Sequence, residues 1–273
     1  MSRLSVKLRD MKLHGRKALI PFITAGDPNP QVTVPLLHTL VAAGADVLEL
    51  GIPFSDPMAE GPAIQHACER ALAHHVSTHD VFAMVREFRQ QDGDTPIVLM
   101  GYLNPVEVMG YDQFAREAVA AGADGMITVD LPPEEAGDYL EAFRKHGLDA
   151  IFLLAPTSTE ARMQQVAAAA SGFVYYVSLR GVTGASHIDV REVKQRLKMI
   201  EGFTDLPIAV GFGIHDAETA AAVSQVADAV VVGSALVKRI AALADQPQRI
   251  NAEASEFISG LRKSIDKNVG AAA

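Results

Sequence analysis

The chain has 273 residues, of which 49% are hydrophobic, and a net charge of −9. This length fits one large domain, as in many α/β barrels, or two small ones, and the acidic balance argues against sequence-independent binding of nucleic acid. No apolar run approaches the roughly 18 residues of a membrane span, and the first residues lack the apolar segment of a signal peptide. Cys68 is the only cysteine, so no internal disulfide and no cysteine zinc site can form. We therefore expect a cytoplasmic protein that binds neither nucleic acid nor membrane.

An amphipathic helix opens the chain. Leu4, Leu8 and Met11 recur at helical spacing among charged residues, which predicts a helix over 1–14 that covers one end of the core. Short apolar segments then alternate with helix-like segments to the end of the chain. The predicted strands lie at 18–24, 47–50, 95–101, 124–130, 150–155, 173–177, 206–211 and 229–233.

Eight such alternations predict the fold. Continuous apolar strands separated by helices indicate a parallel sheet buried on both faces. Eight units favour a single closed (β/α)8 TIM barrel, with the first helix as an N-terminal addition. We expect one domain over 1–273, ending in a frayed tail at 268–273.

The second strand and its loop hold two acids. Glu49 lies inside an apolar strand, where an unpaired charge is costly, and Glu60 precedes the Gly61-Pro62 pair that begins a helix. Environments that separate the pKa values of two carboxylates assign acid and base roles. The alternative is a structural role, with Glu49 in a salt bridge and Glu60 as a simple loop acid.

The other candidate residues follow the remaining strands, because barrel sites form at the strands' C-terminal ends. Gly213, Gly233 and Ser234 follow the last two strands, where phosphate commonly binds at a helix N-terminus. Residues 179–187 have the glycine-rich composition of a mobile lid. Aromatic strand-end residues suit a flat aromatic ligand, although inward barrel residues are also ordinary core. Asp130 is interpreted as a helix N-cap, and no histidine pair has the spacing of a metal site.

Seven segments, in their order and spacing, resemble the tryptophan synthase α-subunit family over essentially the whole chain. They are PFITAGDP (21–28), LELGIPFSDP (48–57), GP (61–62), MGYLNP (100–105), VDLP (129–132), GVTG (181–184) and GFG (211–213). The resemblance implies a lyase of tryptophan biosynthesis. Its reaction would be the retro-aldol cleavage of indole-3-glycerol phosphate into indole and glyceraldehyde 3-phosphate.

The resemblance also implies roles for individual residues. Glu49 and Glu60 would be catalytic. The substrate would be bound by Phe22, Tyr102, Tyr175, Thr183 and Phe212, and its phosphate by Gly184, Gly213, Gly233 and Ser234. No metal or cofactor is expected in this chain. Pyridoxal phosphate (PLP) would belong to a partner β subunit in an αββα heterotetramer, with the contact at 53–57 and 104–105.

One position departs from the family pattern, which usually has Asp where this chain has Glu60. The extra methylene moves the carboxylate by on the order of 1.5 Å. Two other interpretations therefore remain open. The chain could be a weakly catalytic regulatory subunit that binds the phosphate ligand and activates the β subunit. It could also be another phosphate-binding barrel enzyme, such as a sugar phosphate isomerase, which the aromatic strand ends disfavour.

Overall fold

The structure is a computed structural model that describes residues 2–178, 190–211 and 213–269. Eight parallel strands form a closed barrel in the order β1 to β8, which confirms the predicted (β/α)8 TIM barrel. The strands are β1 Ala18–Thr24, β2 Leu48–Gly51, β3 Ile97–Gly101, β4 Gly125–Thr128, β5 Asp149–Leu154, β6 Val174–Val177, β7 Ile208–Gly211 and β8 Ala229–Val232.

Helices surround this barrel within the described ranges. They are α1 Arg3–Leu13, α2 Pro30–Ala42, α3 Pro62–Ala73, α4 Thr78–Arg89, α5 Leu103–Met109, α6 Tyr111–Ala121, α7 Gly137–His146, α8 Glu160–Ala169, α9 Val190–Ile200, α10 Ala217–Ser224, α11 Ser234–Ala242 and α12 Ile250–Val269. None of the described helices is long and apolar enough to cross a membrane. Helix α12 includes the first two residues of the segment expected to fray, and 270–273 lie outside the described residues.

Two features of the helical layer differ from the sequence interpretation. Helix α4 was not predicted, although its Ser77–Asp80 capping box and buried Val81, Val85 and Phe88 are a regular helix pattern. The segment after β3 is two helices rather than one. Gly110 separates them with a φ of 86°, a left-handed conformation that ends α5 and turns the chain into α6.

Helix α1 packs against the barrel end formed by the strand N-termini. Its Leu4, Leu8 and Met11 belong to the same buried cluster as Ile20 of β1 and Val98 of β3. Polar contacts join it to the strand starts as well. The Nε atom of Arg3 lies 2.8 Å from an Asp124 carboxylate oxygen, and Nζ of Lys12 lies 3.1 Å from Asp228.

A repeated hydrogen bond, here called the strand latch, joins consecutive strands at this same end. In each latch, a side chain just before an even-numbered strand accepts an N–H from the start of the preceding strand. The four latches are Leu19 N to Asp46 (3.0 Å), Ile97 N to Asp124 (2.9 Å), Ala150 N to Ser171 (2.9 Å) and Ile208 N to Asp228 (3.0 Å). One amide among the first two residues of each odd-numbered strand therefore has a side-chain partner.

Candidate active site

Glu49 lies in the barrel interior near the strand C-termini. It is in register with Phe22 of β1 and Val98 of β3, and 1% of its surface is exposed. Its Oε2 atom is buried and has no hydrogen-bond partner among the described residues. Burial, together with the negative charge of Glu60, raises the pKa of Glu49 to about 8. Glu49 therefore holds a proton through most of the neutral pH range.

Glu60 is half-buried in the loop between β2 and α3. Loss of solvation raises its pKa to about 7. Its backbone is fixed on both sides, because its N–H donates to the Pro57 carbonyl (3.0 Å) and its carbonyl accepts from Nε2 of Gln65 (2.8 Å). The side chain is thus placed at the cavity by a held backbone.

Both glutamates line one cavity of about 1200 Å³ at the C-terminal end of the barrel. Its walls are mainly apolar side chains from the strand ends and from α3. They are Phe22, Ile64, Met100, Ile127, Val129, Leu153, Tyr175, Val177, Ile214 and Val231. An apolar cavity with a few converging polar groups is the usual form of a small-molecule site.

Two glycines make room for the aromatic side chains in this cavity. A Cβ on Gly51 would lie 2.8 Å from the Phe22 ring, and a Cβ on Gly211 would overlap the Tyr175 hydroxyl. Tyr175 is also close to both acids, since burial first, and then the charges of Glu49 and Glu60, raise its pKa well above the usual value. The strand-end glycines thus leave room for the two rings at the cavity.

Tyr102 lies beside the cavity and is not among the described residues that line it. Its ring stacks on Phe54 with the centroids 5.2 Å apart, and 4% of the residue is exposed. Its hydroxyl accepts a hydrogen bond from the Ala59 N–H at 2.9 Å. Burial is the largest cause that raises its pKa to about 12. Tyr102 therefore contacts the loop that carries Glu60.

The far end of the cavity has the features of an anion site. Gly213, Gly233 and Ser234 all line it, and Ser234 is the first residue of α11. Gly213 has a φ of 80°, a conformation that favours glycine. The first amides of a helix lack intrahelical acceptors and point toward a ligand at its N-terminus.

Three predicted site residues, Thr183, Gly184 and Phe212, lie outside the described residues, as does the segment 179–187. Asp130 has a different role from the one expected. It caps another helix rather than its own, because its carboxylate accepts the N–H of Leu103 at the start of α5, 2.8 Å away. The close approach of the β3 and β4 loops in a parallel barrel explains this arrangement.

The cavity lining includes residues that the sequence interpretation did not single out, among them Ile64, Leu153, Val231 and Lys238. Strand alternation was a usable signal for Leu153 and Val231, since inward barrel residues recur at every second position. Lys238 follows Ser234 by four residues, which places it one turn further along the same helix face. Within the described ranges, no group of three or more His, Cys, Asp or Glu could hold a metal ion.

Known proteins resemble this chain over nearly its full length. A family model described as tryptophan synthase alpha chain matches residues 8–266. The tryptophan synthase alpha chain of Thioalkalivibrio sulfidiphilus is 61% identical over 97% of this chain and 100% of its own length. That of Alkalilimnicola ehrlichii is 59% identical over 97% of each chain.

Solved structures give the same result. The crystal structure of tryptophan synthase subunit alpha from Legionella pneumophila matches with a TM-score of 0.91 and 48% identity, covering 98% of this chain and 99% of that one. The crystal structure of tryptophan synthase from Mycobacterium tuberculosis in its aminoacrylate-bound form matches with a TM-score of 0.84 and 37% identity. It covers 96% of this chain and 100% of its counterpart. By its fold, its sequence and the span of the match, this chain belongs to the tryptophan synthase alpha chain family.

Proposed function

We propose that Glu49 and Glu60 are the acid–base pair with which this chain catalyses its family's reaction. The chain is a lyase of tryptophan biosynthesis, and the reaction is the cleavage of indole-3-glycerol phosphate into indole and glyceraldehyde 3-phosphate. One observation carries the assignment of residues. Two carboxyl groups with raised pKa values line the same apolar cavity at the catalytic end of the barrel.

Glu49 is proposed to move the protons of the reaction. The bond between indole C3 and the adjacent carbinol carbon breaks, C3 gains a proton, and the carbinol hydroxyl loses one as it becomes an aldehyde. A protonated Glu49 donates to C3, and the resulting carboxylate accepts the hydroxyl proton, so the residue ends as it began. A pKa near 8 suits both steps, since general acid–base catalysis is most efficient when the pKa is close to the working pH.

Glu60 is proposed to accept a hydrogen bond from the indole N–H. The carboxylate form is required for this role, and a pKa near 7 leaves a large fraction in that form at neutral pH. Negative charge on Glu60 stabilises the positive charge that the indole ring acquires when C3 is protonated. The same charge keeps Glu49 protonated, so each acid supports the role of the other.

The remaining predicted residues are proposed to bind the substrate. Phe22 and Tyr175 would contact the indole, and Gly213, Gly233 and Ser234 would bind the phosphate at the start of α11. Tyr102 would hold the loop that carries Glu60, and it would also lie near the substrate. Thr183 and Phe212 are proposed as further substrate contacts and Gly184 as a phosphate contact, on the family resemblance alone.

The family name implies a complex with a tryptophan synthase β subunit, and we propose the αββα form. Two large apolar side chains near the expected contact are exposed to solvent. Met58, which follows 53–57, is 81% exposed, and Val108 on α5 is 84% exposed. Burying such side chains against a partner is favourable. In this proposal the chain is one cytoplasmic domain without a cofactor, and PLP belongs to the β subunit.

A second candidate, the weakly catalytic regulatory subunit, is favoured only by the longer side chain of Glu60. A misplacement of about 1 Å can reduce a rate by about a hundredfold. Against it, the Glu60 side chain faces the same cavity as Glu49 from a backbone held by hydrogen bonds. The two candidates share a binding site and differ in turnover.

Release of indole from indole-3-glycerol phosphate tests both candidates. It is measured for the wild type and for Glu49→Gln, Glu60→Gln and Glu60→Asp, with and without a β subunit. Glu69→Gln is the matched control, because Glu69 is an exposed acid on α3 that pairs with His66. We expect kcat to fall about 10²- to 10⁴-fold in both glutamine variants, and Glu60→Asp and the control to stay active.

Two results would contradict the assignment. Full activity of Glu49→Gln would remove Glu49 from the chemistry. A wild type that binds the substrate but releases no indole, even with the β subunit, would favour the regulatory subunit.

A further inference from the structure

The described lining of the cavity contains more glutamates than lysines and arginines. Three glutamates line it: Glu49, Glu60 and Glu253. The chain as a whole has a net charge of −9. A phosphate monoester carries a charge near −2 at neutral pH, so an electrostatic cost opposes its entry unless a cation lies nearby.

Two cationic side chains line the phosphate end of the cavity, and one of them is already paired. Nη1 of Arg239 lies 2.5 Å from an oxygen of Glu253, and its guanidinium stacks over the Phe257 ring at 4.3 Å from the centroid. Lys238, by contrast, forms no ion pair with any described residue and is exposed to solvent. Of the two, Lys238 alone has its charge uncommitted.

The position of Lys238 also suits a phosphate ligand. It follows Ser234 by four residues on α11, and side chains with this spacing share one helix face. It lines the same cavity as Gly213, Gly233 and Ser234. These three positions offer backbone amides and one hydroxyl, all of them uncharged.

We propose that Lys238 supplies the positive charge that holds the phosphate of the substrate, and so makes the cavity selective for phosphorylated ligands. The inference rests on the phosphate site proposed above. A lysine acts on phosphate as a flexible point charge, which complements the directed amides of the helix N-terminus. Because the phosphate is remote from the bond that breaks, this contact is equal in the bound substrate and in the transition state. It should therefore lower KM and leave kcat unchanged.

The test compares Lys238→Met and Lys238→Arg with Lys263→Met in the purified full chain. Lys263 is an exposed lysine of α12 that does not line the cavity, so its variant makes the same change in net charge. The measurements are KM and kcat for indole-3-glycerol phosphate, the inhibition constant of inorganic phosphate as a competitor, and the affinity for uncharged indole.

We expect Lys238→Met to raise KM and the phosphate inhibition constant about tenfold, with kcat and indole affinity unchanged. Lys238→Arg should recover most of the loss, and Lys263→Met should match the wild type. The KM of the wild type should also rise with ionic strength more steeply than that of Lys238→Met, because salt screens the lost attraction.

The outcomes separate this inference from the function on which it rests. If phosphate competes with the substrate and both methionine variants give the wild-type inhibition constant, the role of Lys238 is wrong and the phosphate site stands. If phosphate does not compete even in the wild type, the phosphate site and the role of Lys238 both fail. A loss of kcat in Lys238→Met at unchanged KM would also overturn the inference.

Discussion

Glu49 and Glu60 line the same cavity, yet their surroundings differ. Glu49 is enclosed by the barrel and has a buried oxygen without a partner, whereas Glu60 is half-buried at the cavity edge. Enclosure raises the pKa of Glu49 further than that of Glu60, to about 8 against about 7. The carboxyl group proposed to donate a proton is therefore the one that keeps its proton at higher pH.

Replacement of Glu49 by Gln should change how stability depends on pH. The folded-state pKa of Glu49 is about 8 and its ordinary value is 4.5, so between these values the folded protein retains a proton that the unfolded chain has lost. Stability of the wild type therefore falls as pH rises through this window, by at most about 1.4 kcal/mol per pH unit from this one group. Glu49→Gln removes that contribution. The difference in free energy of unfolding, variant minus wild type, should therefore increase from pH 5 to pH 8.

Denaturant unfolding at several pH values measures the effect. Glu60 remains in the variant, and Glu69→Gln serves as a control that should follow the wild type. If the free energy of unfolding changes with pH in the same way for the wild type and Glu49→Gln, Glu49 ionises normally in the folded state.

At the residue level, the sequence could predict which two acids share a cavity but not all of their surroundings. An acid within an apolar strand marked Glu49, and the strand-end rule marked Gly213, Gly233 and Ser234. Lys238 was not found because an exposed lysine on a helix is common, and its significance depends on the cavity beside it. Tyr102 was predicted to touch the ligand because it follows a strand, but its hydroxyl is directed to Ala59 by a tertiary contact that spacing does not reveal.

At the level of elements, the loop from β2 to α3 is held by a neighbouring loop. The Tyr102 hydroxyl, at the start of the β3 loop, accepts the N–H of Ala59, the residue before Glu60. The ring of Tyr102 is fixed in turn by stacking on Phe54 of the held loop. A residue that follows β3 thus holds the backbone next to Glu60.

Tyr102→Phe should therefore impair catalysis without unfolding the protein. The ring and its stacking remain, while the Ala59 N–H loses a hydrogen bond worth about 0.5–1.5 kcal/mol. Because this hydrogen bond holds the residue before Glu60, its loss should displace the Glu60 carboxylate. We therefore expect kcat to fall about three- to tenfold, with the phosphate inhibition constant unchanged. Tyr111→Phe is the matched control, because its hydroxyl donates to Glu107 at the surface. Equal kcat values for the two variants would show that the Tyr102 hydroxyl does not position Glu60.

The order and type of the strands were predictable because each is a short apolar run between turn residues. Their ends differ from the predictions by only a few residues, as in β4, which the sequence placed at 124–130 and which covers Gly125–Thr128. Helix α4 was overlooked because one helix between strands is the usual barrel pattern. Asp130 was assigned to its own helix because the sequence does not show that the neighbouring loop lies within hydrogen-bonding distance.

At the level of the whole molecule, the end of the barrel opposite the cavity is joined by charged contacts. Asp124, which is 4% exposed, accepts from the Ile97 N–H and pairs with Arg3 of α1 (2.8 Å) and Arg89 of α4 (3.0 Å). One side chain thus connects two helices with β3 and β4. Its role is structural, because the candidate active site lies at the other end of the strands.

Asp124→Ala should lower stability by about 3–5 kcal/mol, because the buried Ile97 amide loses its acceptor and the charge of the largely buried Arg89 side chain loses its carboxylate partner. The folded fraction should keep the wild-type kcat. Unfolding by denaturant and turnover per folded molecule measure the two effects. Asp94→Ala, at an exposed position in the loop before β3, should change neither the stability nor kcat. A large loss of kcat in Asp124→Ala would show that the two ends of the barrel are coupled.

The four strand latches divide the barrel into β1–β2, β3–β4, β5–β6 and β7–β8, since each latch joins residues of one such pair. At the end of the barrel opposite the cavity, the latches thus group the strands into four consecutive pairs, here called modules, and main-chain hydrogen bonds such as that from Asp149 N to the Asp124 carbonyl join one module to the next. New chain ends introduced by circular permutation between β4 and β5 would leave every module continuous. New ends between β3 and β4 would put Ile97 and Asp124 at opposite extremes of the chain, so that their latch would have to close last. The permissive places to open this barrel are therefore the boundaries between modules.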